Sequence, residues 1–97
     1  MASKLDIELE QSTSKGRYFI RQGGSDDAEL TFSKAGSKLI IIDHTEVPDS
    51  FRGEGIGLAL VSRAVEDARA NGVKVIPLCP FAASQFRRHA EWSDVLN

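Results

Sequence analysis

Residues 39–57 read LIIIDHTEVPDSFRGEGIG, and their pattern predicts the central unit of the fold. Its apolar start, residues 39–42, predicts a strand in the middle of a sheet that is covered on both faces. The end of the stretch is rich in glycine and leads into a helical pattern, because apolar residues recur at every fourth position in Ile56, Leu60, Ala64 and Ala68. A strand, a glycine loop and an amphipathic helix therefore form the central unit of the chain.

The flanking segments complete a mixed α/β (α+β) fold. Upstream, alternating apolar and polar residues predict antiparallel strands at 5–10, 17–21 and 28–32. Downstream, residues 73–79 predict a fifth strand, and Pro80 suits the first turn of a last helix. Pro77 removes a ladder donor, which predicts an edge strand that splays away from the fourth strand. The order is a set of antiparallel strands followed by a strand-helix-strand-helix unit.

Length and composition exclude several classes of protein. Ninety-seven residues support one core, so we expect a single domain spanning 1–97. Twelve Lys and Arg against 14 Asp and Glu give a net charge of −2, which disfavours a nucleic-acid partner. No apolar stretch approaches membrane-spanning length, so no membrane partner is expected. The single cysteine cannot form an internal disulfide or a metal site alone, and a cytoplasmic location without a bound metal is therefore expected.

The glycine loop at residues 52–57 has the composition of a phosphate-binding turn. Glycines allow a close approach of the main chain, and the first helical turn offers unpaired N–H groups at the positive end of the helix dipole. Such a site favours a phosphate or pyrophosphate. A P-loop is excluded because Leu58 and Ala59 follow Gly57. A dinucleotide fingerprint fits poorly, since Leu58 stands where Gly or Ala is needed.

Arg52, Gly55 and Gly57 fill the pattern Arg/Gln-x-x-Gly-x-Gly/Ala, which resembles the pyrophosphate loop of the acetyl-coenzyme A-dependent N-acetyltransferases, the GNAT superfamily. Three further segments, HTEVP at 44–48, CPF at 79–81 and HAEW at 89–92, are similar to the small single-domain GNAT-like proteins of the NATD-like, or YjdJ-like, group. The resemblance covers nearly the whole chain. It implies a minimal GNAT-like fold that binds acetyl-coenzyme A (acetyl-CoA) and transfers the acetyl group to an unidentified amine.

The resemblance also implies which residues hold the coenzyme. Backbone groups near Val47 would pair with the pantetheine arm, and the pyrophosphate would lie on the amides of Arg52, Gly53, Glu54, Gly55, Ile56, Gly57 and Leu58. Two features depart from full-length family members: the chain lacks the N-terminal helices that shape the acceptor side, and no tyrosine follows the fifth strand. A non-catalytic acyl-coenzyme A-binding sensor or interaction module is the alternative, and a purely structural domain is a third hypothesis.

Three residues are candidates for catalysis. His44 and Glu46 share strand parity, so both face one side of the sheet and could act as an acid/base pair; a strand-end His beside a surface Glu is the alternative. Cys79 precedes Pro80 and is predicted to be the N-cap of the last helix, where the dipole lowers the pKa of a thiol. Its sulfur could accept the acetyl group or protonate the leaving coenzyme, or Cys79 is a small buried hydrophobic residue.

Overall fold

A computed structural model of the protein describes residues 6–21, 27–48 and 55–97. In chain order its elements are β1 (Glu8–Gln11), β2 (Lys15–Ile20), β3 (Ala28–Lys34), β4 (Leu39–Glu46), α1 (Ile56–Asn71), β5 (Lys74–Pro77), α2 (Pro80–Arg88) and a 3₁₀ turn (Ala90–Trp92). The predicted mixed α/β class and the order of elements are both confirmed.

The strands form one five-stranded sheet in the order β1-β2-β3-β4-β5. β1 to β4 are antiparallel neighbours, whereas β5 runs parallel to β4. A parallel pair needs a crossover connection, and α1 supplies it. The meander followed by a strand-helix-strand unit therefore has the topology that the sequence predicts. β5 is the last strand of the sheet, as Pro77 predicts, and only an isolated bridge joins its Val75 to Leu96 on the outer side.

Glycines define both ends of α1. Gly55 at its start has φ 67°, and Gly72 at its end has φ 68°, a left-handed conformation that glycine adopts without a Cβ clash. Between them the helix buries the apolar stripe Ile56, Leu60, Val61, Ala64, Val65 and Ala68. Within the described ranges, neither of the two helices, α1 and α2, is long and apolar enough to cross a membrane.

Both helices lie side by side on one face of the sheet. At their N-terminal ends Gly57 of α1 meets the ring of Phe81 of α2. At the other end Arg69 of α1 forms a 2.7 Å ion pair with Asp94, just after the 3₁₀ turn. The core fills the space between this helix layer and the sheet, and its largest fully buried side chains there are Leu30, Ile42, Ile56, Leu60, Val61, Val65 and Val75.

The second face of the sheet has no helix layer among the described residues. The prediction that the apolar start of β4 is covered on both faces is therefore wrong: Ile42 is buried, but Leu39, Ile40 and Ile41 are only half-buried. Charged side chains take the place of a helix around Phe19. The guanidinium groups of Arg17 and Arg21 lie 4.0 and 5.1 Å from the centre of its ring, and Phe19 is only 2% exposed.

Candidate active site

β4 and β5 separate beyond the pair formed by Ile42 and Pro77. β4 continues to Glu46 with only β3 beside it. Pro77 has no N–H to continue the ladder. The N–H of Cys79 instead donates to the Ile42 carbonyl over 3.0 Å, which turns the chain toward α2. The predicted splay is therefore present as a break in the ladder beyond Ile42 and Pro77, and this break, between the edge of β4 and the start of α2, is called the slot below.

A β-bulge in β4 decides which side chains face each side of this slot. Thr31 of β3 lies opposite His44, but the next residue, Phe32, lies opposite Ile42, so Asp43 is an extra residue in β4. An extra residue shifts the alternation of side chains by one position. Beyond the bulge, the side chain of Thr45 therefore shares the helix face with Ile42.

His44 and Glu46 consequently project from the open face of the sheet. Their side chains are 63% and 65% exposed, and His44 Nε2 lies 3.6 Å from Glu46 Oε1. The predicted shared face of this pair is confirmed by the strand register. The structure does not, however, bring the pair together with Cys79, because Cys79 contacts Thr45 on the helix face.

Cys79 is the N-cap of α2, as predicted, with extended backbone angles (φ −63°, ψ 131°). The residue is only 5% exposed, and its thiol donates to Thr45 Oγ1 over 3.5 Å. Burial raises the pKa of the thiol, whereas its hydrogen bonds with the Thr45 hydroxyl and with backbone groups of Ala82, Phe81 and Thr45 lower it, and the net pKa lies below its ordinary value. A sulfur with increased thiolate character therefore lies beside the slot.

The start of α1 is the candidate pyrophosphate site. Among the described residues, the first N–H to donate within this helix is that of Ala59, which bonds to the Gly55 carbonyl over 3.0 Å, and no side chain caps the helix. The amides of Ile56, Gly57 and Leu58 precede it in the first turn. Ile56 is buried in the core and Leu58 is partly exposed, so Ile56 can offer a ligand only its backbone.

Three of the predicted coenzyme contacts, Arg52, Gly53 and Glu54, lie outside the described residues. Val47 is half-buried and packs against the core beyond the end of β4. Gly57 has a packing role that sequence reasoning missed. A Cβ on Gly57 would lie only 2.7 Å from Cζ of Phe81, so the close contact of the two helices favours a glycine there.

Sequence reasoning also missed Thr45. Its residue type gave no signal, and strict alternation from the apolar start of β4 would place it on the face opposite Ile42. The bulge at Asp43 reverses that assignment. The only signal in the sequence was its position inside the HTEVP segment.

The antiparallel meander, the splayed parallel pair and the glycine-initiated helix define a small protein of the GNAT type. A family model for the GCN5-related N-acetyltransferases matches residues 17–95. The chain therefore belongs to this family, and the resemblance inferred from its motifs is confirmed.

Known relatives and a solved structure agree with this assignment. The chain is 36% identical to protein NATD1 of Xenopus tropicalis over 61 residues, which cover 62% of this chain and 56% of the relative. It is 34% identical to NATD1 of Bos taurus, with 67% and 63% covered. The chain thus aligns with less than two thirds of the length of each of these two relatives. The NMR structure of a GCN5-like protein from Staphylococcus aureus aligns with a TM-score of 0.72 and 32% identity, over 95% of this chain and 89% of that one.

Proposed function

We propose that this protein binds acetyl-CoA and transfers the acetyl group to an amine. In this proposal Cys79 either attacks the thioester or protonates its leaving sulfur. Membership of the N-acetyltransferase family supports acetyl transfer in general. The observation that carries the specific proposal is the place of the Cys79 sulfur, buried at the N-cap of α2 beside the slot between β4 and β5.

The coenzyme fits two features of the described residues. Uncapped amides at the start of α1 suit the pyrophosphate, since the helix dipole favours an anion there. The free edge of β4 beyond Ile42 offers backbone groups that suit the amides of a pantetheine arm. An arm that follows this edge from the start of α1 brings its thioester toward Cys79.

Cys79 can act by one of two routes. In the covalent route its thiolate attacks the acetyl carbon, an Sγ–C bond forms, and the bond from that carbon to the coenzyme sulfur breaks. The coenzyme leaves as a thiolate that takes up a proton, and an amine then attacks the acetyl carbon, forms a C–N bond and restores the Cys79 sulfur. In the direct route the amine attacks the acetyl carbon of acetyl-CoA, a C–N bond forms, and the bond from that carbon to the coenzyme sulfur breaks. The Cys79 thiol gives its proton to the leaving sulfur, and the proton that the amine loses restores the thiol through solvent.

His44 and Glu46 are the candidates for the proton acceptor on the amine side. They lie close together on the open face, where an amine has access to them from solvent. An ammonium group must lose a proton before it can attack, and a general base typically contributes about 10² to 10⁴ in rate. If His44→Ala and Glu46→Gln both retain the normal rate at saturating acetyl-CoA, this assignment is wrong.

The alternative is a module that binds an acyl-coenzyme A without turnover. It is favoured by the open face, where no described element forms a wall around an acceptor and both candidate bases are mostly exposed. The coenzyme site could be the same in both functions. The two functions differ in whether an amine binds as a second substrate.

A direct experiment compares wild type with Cys79→Ala and Cys79→Ser. Calorimetry measures acetyl-CoA binding, and mass spectrometry of the intact protein measures acetylation. We expect both variants to bind nearly normally and to lose turnover with a panel of amines. An added acetyl group in wild type that is absent from Cys79→Ala supports the covalent route. Binding with no turnover of any amine supports the alternative, and full activity in Cys79→Ala contradicts the role of the thiol.

A further inference from the structure

Thr45 is the side chain of β4 that reaches the Cys79 sulfur. Its Oγ1 lies 3.5 Å from Sγ, across the slot where β4 and β5 have separated. The bulge at Asp43 is what places this hydroxyl on the helix face. Such a neighbour affects a catalytic thiol only if the hydroxyl changes the orientation or the protonation of the sulfur.

We propose that Thr45 is a positioning residue that holds the Cys79 sulfur in one orientation and stabilises its thiolate. A hydroxyl can both accept and donate a hydrogen bond. In the resting state the hydroxyl accepts a hydrogen bond from the S–H of the thiol. After the thiol has lost its proton to water, the hydroxyl rotates and donates a hydrogen bond to the thiolate. This inference rests on the proposed role of Cys79 in acetyl transfer.

The other donors to the sulfur are fixed parts of the backbone. The amides of Phe81 and Ala82 belong to the first turn of α2 and that of Thr45 to β4, and no substitution of the side chains removes them. Among the described residues, no charged side chain is one of the largest contributions to the lowered pKa of the thiol. The charged groups of the neighbouring elements lie elsewhere, since His44 and Glu46 face the open side and Arg87 and Arg88 are exposed at the far end of α2.

Among the residues that the structure describes, Thr45 therefore provides the one side-chain hydrogen bond to this sulfur. A purely structural role would depend on the shape of Thr45, which lies opposite Leu30 and above the core. Valine has nearly the same shape and no hydroxyl, whereas serine keeps the hydroxyl and loses a methyl group. The two substitutions separate hydrogen bonding from packing.

The test uses the chain's single cysteine as its own probe. The rate of alkylation by iodoacetamide is measured against pH in wild type, Thr45→Val and Thr45→Ser, because the thiolate is the reacting form. Losing one hydrogen bond should raise the midpoint of the profile by about 0.5 to 1 pH unit in Thr45→Val. At a pH below both midpoints the alkylation rate should fall about three- to tenfold, and Thr45→Ser should remain close to wild type.

An unchanged midpoint in folded Thr45→Val would overturn the proposal, and so would a Thr45→Ser variant that behaves like Thr45→Val. Urea unfolding checks that each variant is folded, and Thr45→Ala serves as a second hydroxyl-free variant if valine is not tolerated. Alkylation needs no acetyl-CoA. A shifted profile in a protein that never transfers acetyl would therefore leave the positioning role intact and reject the proposed function alone.

Discussion

Gly57 of α1 faces the ring of Phe81 at the start of α2, and we expect Gly57→Ala to destabilise the protein through this contact. The new Cβ would lie 2.7 Å from Cζ and 3.0 Å from Cε2 of the ring. Overpacking of this kind costs about 1 to 3 kcal/mol. Alanine in place of glycine in a helix returns at most about 1 kcal/mol. The net expectation is a loss of about 0 to 2 kcal/mol in the free energy of unfolding.

In the absence of the Phe81 ring, the effect of Gly57→Ala on the free energy of unfolding should change sign. Phe81 is 38% exposed, so Phe81→Ala leaves a folded background in which the clash is absent. There, Gly57→Ala should be neutral or stabilising by up to about 1 kcal/mol. Urea unfolding of wild type, both single variants and the double variant gives the coupling energy, which we expect to be about 1 to 3 kcal/mol. Phe81→Leu is a matched control that keeps an apolar side chain without the ring.

A coupling energy below about 0.5 kcal/mol would refute this reasoning, since residues that do not touch are additive to that degree. The same four proteins then separate the two roles of Gly57. If the double variant regains stability and binds acetyl-CoA normally, the glycine serves helix packing. If it regains stability but not binding, the coenzyme itself needs the bare backbone at this position.

Three further predictions follow from the described residues. Tyr18 is the only tyrosine, and burial followed by its 2.7 Å hydrogen bond to Asp67 raises the pKa of its phenol. Above about pH 10 the unfolded chain loses this proton first, so stability should fall with pH by at most about 1.4 kcal/mol per unit, and Tyr18→Phe should remove that slope in urea unfolding. Gly55→Ala should cost about 1 to 2 kcal/mol because φ is positive, and Gly55→Asn should cost less in the same assay. Arg17→Ala should expose Phe19 and lower stability by about 1 kcal/mol, which thermal unfolding measures against Arg17→Lys as the charge-retaining control.

Much of the fold could be predicted because local patterns and global topology agree. Alternation in 28–32 and the i+4 apolar stripe from Ile56 each fix an element and its buried face. The N-cap position of Cys79 and the splay at Pro77 followed from the missing N–H groups of two prolines. These features depend on a residue and its immediate neighbours, so one sequence is enough to infer them.

Features that depend on how two elements meet could not be predicted in this way. The bulge at Asp43 depends on the register between β3 and β4, and nothing in the sequence of β4 marks it. The apolar residues 39–41 predicted a second covering layer, but only one face of the sheet carries described helices. The packing role of Gly57 needs the position of Phe81, which is 24 residues further along the chain.

The bulge places the two groups of catalytic candidates on opposite faces of the sheet, and the two routes use these groups differently. Cys79 and Thr45 face the helix layer, whereas His44 and Glu46 face the open side, so the sheet separates the thiol from the acid/base pair. In a covalent route the acetyl group moves to a buried sulfur, and the pair on the open face matters only when the amine arrives. Loss of His44 or Glu46 would then slow deacetylation of the protein by the amine and leave acetylation by acetyl-CoA unchanged. In a direct route attack by the amine is the single acetyl-transfer step, and the same substitutions would slow the whole reaction with no acetylated protein to observe. Acetylated protein, which only the covalent route produces, thus makes the order of the chemistry measurable.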